Sequence, residues 1–106
     1  MLECLTPMQA HYAATFDREA GCTEREWLMW LPAAVGDCPM ELRPGGADVQ
    51  VNGGRLQLDW QVLPPRVIAL VRMPRLAVSF RFSEVPEQRR HAFMRRFDLY
   101  MQRGGG

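Results

Sequence analysis

The side chains able to do chemistry are few and scattered. Cys4, Cys22 and Cys38 are the only thiols and His11 and His91 the only imidazoles in a chain of 106 residues. A zinc or redox centre needs cysteines two to four residues apart, or histidines at helical spacing, because the donors must converge on one ion. No such pair occurs here. There is likewise no Gly-x-Ser-x-Gly elbow, no phosphate-cradling glycine loop and no zinc-hydrolase helix motif. Gly45-Gly46 and Gly53-Gly54 sit where turns are needed and read as turn glycines. The sequence therefore assigns no catalytic, metal or cofactor residue, and it points away from an enzyme. An odd set of unpaired cysteines suits a reducing compartment, so all three are expected to be thiols.

What remains is binding chemistry. Every one of the 13 basic residues is an arginine, a bias that fits a GC-rich bacterial genome. The charge is unevenly placed, with four arginines against nine carboxylates in residues 1–63 and nine against three in residues 64–106. Arg89, Arg96 and Arg103 are spaced by seven and would line one flank of a C-terminal helix, as a phosphate-tracking stripe would. Nucleic-acid binding through these three is one functional alternative. The plainer reading is that their stems cover apolar surface while their heads stay in water. A net charge of +1 argues against a strongly basic binder.

A second set lies in the middle of the chain. If residues 67–71 form a strand, Ile68 and Leu70 stand on the sheet face away from the main core, near Asp59, Gln61 and Arg81. Two apolar residues rimmed by polar ones resemble the core of an interface. Burial by the N-terminal segment of the same chain is the competing explanation. The favoured expectation is a small non-catalytic binding or accessory module, homodimeric, using Ile68, Leu70, Asp59, Gln61 and Arg81 toward a partner. A further alternative is an apolar small ligand held between helix and sheet near Trp60, Phe80 and Phe97.

These residues must be positioned by an α+β domain. Thr6, Pro7 and Gln9 could open a helix over residues 7–18, although Tyr12, Ala14 and Phe16 also alternate as a strand over 11–16 would. Thr23 with Glu26 forms a capping box that starts a helix at Glu24; Pro32 deprives it of one backbone donor and Gly36 ends it, so a short or kinked helix is expected. From Met40 the period changes to two: Val49 and Val51, then Leu56, Leu58, Trp60 and Val62, then Leu76, Val78, Phe80 and Phe82 alternate with polar residues. With turns at Gly53-Gly54, Pro64-Pro65 and Met73-Pro74, a meander results that pairs Val51 with Leu56, Val62 with Val67 and Val71 with Leu76. Val49, Leu58, Trp60, Ala69, Val71, Val78 and Phe80 then share one face. Residues 40–43 are a candidate fifth strand at the edge. Pro86 and Glu87 open a long helix through about Arg103, whose arc of Phe93, Met94, Phe97, Tyr100 and Met101 should cover that face.

The expected architecture is thus an antiparallel sheet of four to five strands, one face under a long C-terminal helix, with one or two N-terminal helices. Residues 1–103 form a single domain and 104–106 a flexible glycine tail. That tail is similar to the terminal diglycine of ubiquitin-like proteins, which follows a strand rather than a helix. Helix, meander and closing helix resemble the layout of a double-stranded-RNA-binding domain; with a strand at 11–16 the order would resemble a reduced helix-grip lipid-binding fold. No apolar run approaches the roughly 20 residues of a membrane span. The opening residues lack a basic region leading into an apolar one, so a cytoplasmic location without membrane contact is expected.

Overall fold

A computed structural model describes residues 12–105, with side chains through residue 102. Its elements are β1 (Thr15–Ala20), α1 (Glu24–Val35), β2 (Met40–Arg43), β3 (Gly46–Val51), β4 (Gly54–Ile68), β5 (Val71–Ser83) and α2 (Glu87–Gly105). All five strands join one antiparallel sheet in the order β1-β5-β4-β3-β2. The α+β class and the edge strand over residues 40–43 agree with expectation.

Period-two patterning puts Leu56, Leu58, Trp60, Leu76, Val78, Phe80 and Phe82 on the inner face, where all are buried. Gln57, Asp59, Gln61, Ser79 and Arg81 alternate with them on the outer face. Both helices lie over the inner face. The Phe97 ring meets Phe80 edge-on at 5.5 Å and Trp27 at 5.9 Å, and Phe93 meets Phe82 at 6.1 Å. Helix α1 starts as its capping box requires, with Thr23 Oγ1 accepting from the Glu26 amide and Glu26 Oε1 accepting from the Thr23 amide.

Four expectations need correction. The helix over 7–18 is replaced, from Thr15, by strand β1; Phe16 and Ala20 face inward while Asp17 and Glu19 face outward, and the free edge of β5 supplies the pairing. The remainder of that proposed helix up to His11 lies outside the described residues. The element order is thus strand, helix, four strands, helix.

The first hairpin turns at Asn52-Gly53, not Gly53-Gly54, so Val49 faces Leu56 and Ala47 faces Leu58. Both turn residues have positive φ, 44° and 84°, which Asn-Gly adopts readily and which matches the twist of the strands. Gly54 is needed for another reason: a Cβ there would strike the carbonyl oxygens of Ser83 and Glu84.

Pro64-Pro65 is not a turn. The pairing runs through it, from Leu63 opposite Arg75 to Arg66 opposite Met73, so the two prolines form a bulge against Pro74. Residues 67–71 are consequently no separate strand. Ile68 ends β4, Ala69-Leu70 makes the turn and Val71 begins β5. Ala69 and Val71 therefore leave the core face, and Val71 is exposed. Trp60 and Gln61 keep their expected orientations, inward and outward, because alternation within β4 is unchanged and the first hairpin's register differs from the expected one by two residues.

Candidate interaction surface

Strands β4 and β5 are far longer than their neighbours, and the excess becomes an arm. β3 pairs with β4 no further than Asp59, and β1 pairs with β5 no further than Leu76. Beyond these points, among the described residues, the two strands pair only with each other. Val62, Val67, Ile68, Val71 and Met73 are exposed along this hairpin, and Leu70 at its tip is 98% exposed. The turn uses Ala69 at φ 54°, a left-handed conformation that costs a non-glycine residue roughly 1 kcal/mol. Such strain at an apolar tip is a reason to look for a use.

The base of the arm is clamped by one carboxylate. Glu19 on β1 accepts from Arg75 Nη1 at 2.9 Å and Arg66 Nη2 at 3.4 Å, one arginine from each strand, while Arg75 Nε donates to the Pro64 carbonyl at 3.0 Å. Along residues 60–83 there is no carboxylate, only Arg66, Arg72, Arg75 and Arg81. The arm is an apolar tip on a cationic stem. Around its base stand Asp17, Glu19, Asp59 and the start of α1, where Glu24 Oε2 accepts from Trp60 Nε1 at 2.9 Å.

On the outer sheet face, pairing sets Asp17, Ser79, Asp59, Gly46 and Arg43 in one transverse row. Arg43 lies flat over Gly46, where any Cβ would collide with its guanidinium, and donates to Asp59 at 2.9 Å and to the Leu58 carbonyl at 3.2 Å. The Arg43 bond holds the Asp59 carboxyl below its ordinary range, against a smaller opposing effect of burial. A concavity of about 360 Å³ is lined by Asp17, Asp59, Gln61, Ala77 and Ser79 with neighbouring residues of the same strands.

The structure divides the residues assigned to a partner. Ile68 and Leu70 belong to the arm. Asp59 and Gln61 belong to the concavity, some seven strand residues back, or about 20 Å at 3.3 Å per residue. Arg81 is exposed one row further, opposite Gln57. Sequence reasoning missed Val67, Val71 and Met73 as exposed members, and Glu19 as the clamp. The readable signal for the former was an apolar run, 67–71, bounded by arginines and without polar alternation.

Of the three C-terminal arginines in the proposed stripe, Arg89 and Arg96 have described side chains, and both are exposed. Arg96 donates to the Ala33 carbonyl at 3.2 Å and stacks on Tyr100 at 4.5 Å, supplying a cation at the end of α1, whose own last turn has none. Arg90 donates to the carbonyls of Tyr12 and Val85. Arg89 is exposed, and the Arg103 side chain lies outside the described residues. Between helix and sheet, Trp60, Phe80 and Phe97 are all buried, their rings packed with Trp27, Phe16 and Phe93.

Cys22 and Cys38 are free thiols that burial pushes above their ordinary range, Cys22 with help from Glu26 and Cys38 from Asp37. Neither is set up as a thiolate nucleophile. His91 packs against the Tyr12 ring at 5.8 Å; Cys4 and His11 lie outside the described residues. Among the described residues no three His, Cys, Asp or Glu side chains group to hold a metal, and no helix is long and apolar enough to cross a membrane. Comparison of the chain with protein families, curated proteins and solved structures finds no match.

Proposed function

We propose that this protein is a non-catalytic binding module, homodimeric, whose docking element is the β4–β5 arm. The observation that carries this reading is Leu70, 98% exposed at the tip of a hairpin that neither flanking strand accompanies. A two-stranded hairpin is marginally stable alone in water, and apolar surface left in water forgoes about 25 cal/mol per Å². An arm built this way gains stability by being covered. Nucleic-acid binding by Arg89, Arg96 and Arg103 draws less support, because Arg96 is engaged by α1; an apolar ligand near Trp60, Phe80 and Phe97 draws less because those rings pack on one another.

Sedimentation of the wild-type chain over a concentration series, beside Ile68→Glu and Leu70→Glu, tests the proposal. Both substituted side chains stand in solvent, so the variants should keep the wild-type circular dichroism and melting behaviour. The wild type should be a dimer and each variant a folded monomer. A wild type that stays monomeric at high concentration would overturn the reading.

A further inference from the structure

We infer that the arm is also a surface anchor for anionic lipid: in place of a second copy, its tip seats in the interface of a negatively charged bilayer. The arm remains the docking element, as proposed above, and gains an alternative occupant. This departs from the expectation of no membrane contact, which concerns crossing; an element seated in the interface needs no spanning run.

Apolar side chains stand on both faces of the arm. Beyond the proline bulge, pairing sets Ile68 with Val71 and Arg66 with Met73 on the face that continues the outer side of the sheet, and Val67 with Arg72 on the other. All six are exposed, and Leu70 stands at the tip. A folded protein laid against one face leaves the other in water. Lipid surrounds a ribbon on every side, so it covers both faces and the tip at once.

Charge selects the kind of lipid. No carboxylate occurs between residues 60 and 83, and Arg72 and Arg66 lie one and two pairs behind the closing pair Ile68–Val71. Two to four residues from Leu70, at 3.3 Å each, is about 7 to 13 Å. Apolar anchors enter the boundary between headgroups and acyl chains by roughly 5 to 10 Å, so a seated tip brings both guanidinium groups to the level of the lipid phosphates, with their stems among the apolar atoms. At the base of the arm, Glu19 is held by Arg66 and Arg75 and cancels one of the three positive charges. Arg72 makes no ion pair among the described residues. Asp17 and Asp59 flank Ser79, nine residues from Leu70. That is about 30 Å from the tip, several Debye lengths at physiological salt, so the acidic part of the body does not repel the surface.

Co-sedimentation with phosphatidylcholine vesicles, prepared with and without phosphatidylglycerol, tests the inference. The wild type should bind the anionic vesicles about tenfold or more tighter than the neutral ones. Each arginine near such a surface is worth about fivefold, so Arg72→Gln should weaken binding by about that factor. Leu70→Glu should weaken it by about tenfold or more. Arg89→Gln, at an exposed position on α2 and at the end of the sheet away from the arm, should change nothing. The inference is overturned by a wild type that does not bind, by binding indifferent to lipid charge, by equal losses from Arg72→Gln and Arg89→Gln, or by a Leu70→Glu variant that binds as the wild type does. Binding to duplex DNA in place of vesicles, lost through Arg72→Gln, would overturn it too. The two readings fail separately. A dimer that ignores anionic vesicles leaves the homodimer standing and removes the anchor; a monomer that binds them through Leu70 upholds the anchor and removes the homodimer.

Discussion

At the scale of residues, the outer face is organised by an exchange of space for charge. Gly46 supplies no side chain, and Arg43 uses the vacated position to reach Asp59 and the Leu58 carbonyl. This ties β2 to β4 across β3 without a strand pairing. Because the folded Asp59 carboxyl titrates below its ordinary range, its contribution to stability is present above the unfolded value near 3.9 and is lost as pH falls through the folded one. The stability difference between wild type and Asp59→Asn should therefore be constant from neutral pH to about 5 and shrink toward pH 2 in denaturant titrations. The pair is about one-third exposed on both sides, so the difference itself should be small, of the order of a surface ion pair, roughly 1 kcal/mol or less. A gap that widens in acid would contradict the assignment. Little of this row could be read from the sequence, because Arg43, Asp59, Ser79 and Asp17 meet only through a register spanning four pairings. The same holds for Asp98, which accepts from Tyr12 at 2.8 Å and from both terminal guanidinium nitrogens of Arg18, tying β1 to α2 across 80 or more residues.

At the scale of elements, what could be read was whatever depends on near neighbours. The capping box at Thr23 and Glu26, the inward set Leu56, Leu58, Trp60, Val78 and Phe80, and the apolar arc of α2 all follow from periodicity within one element. What failed were connections. Asn52-Gly53-Gly54 offers two turn pairs, and the choice is made by Glu84 and Ser83 crowding Gly54 from the far end of β5. Pro64-Pro65 has the composition of a turn, yet antiparallel pairing absorbs the pair as a bulge once a two-residue turn at Ala69-Leu70 closes the hairpin. Residues 15–20 alternate too briefly to separate strand from helix without knowing that β5 has a free edge. The packing of α2 is the element-level feature most open to measurement. Phe97 is 1% exposed and touches Phe80, Phe93 and Trp27, so Phe97→Ala should cost about 3 to 5 kcal/mol in equilibrium unfolding. A loss under about 1 kcal/mol, typical of a mild substitution, would place that ring outside the core.

At the scale of the whole molecule, the protein is a thin plate, 46 × 41 × 21 Å, with two helices on one side of the sheet and an open polar face on the other. The arm extends the sheet beyond the plate with neither of its edges paired to another described strand, and its segment 67–71, Val-Ile-Ala-Leu-Val, carries no charge. Short apolar segments of high strand propensity at an unpaired edge are the seeds of cross-β stacking. The devices that restrain this are already in place: Pro64, Pro65 and Pro74 lack amide donors, and Arg66 and Arg72 bracket the segment as gatekeepers that would stack like charges in a fibril. Replacing both with glutamine should leave the melting temperature nearly unchanged yet sharply shorten the lag before thioflavin-positive aggregates form; an unaltered lag would show the prolines to be sufficient. Arg66, which helps to clamp the base of the arm through Glu19, and Arg72 thus have a second consequence: they oppose the stacking of the apolar segment they bracket.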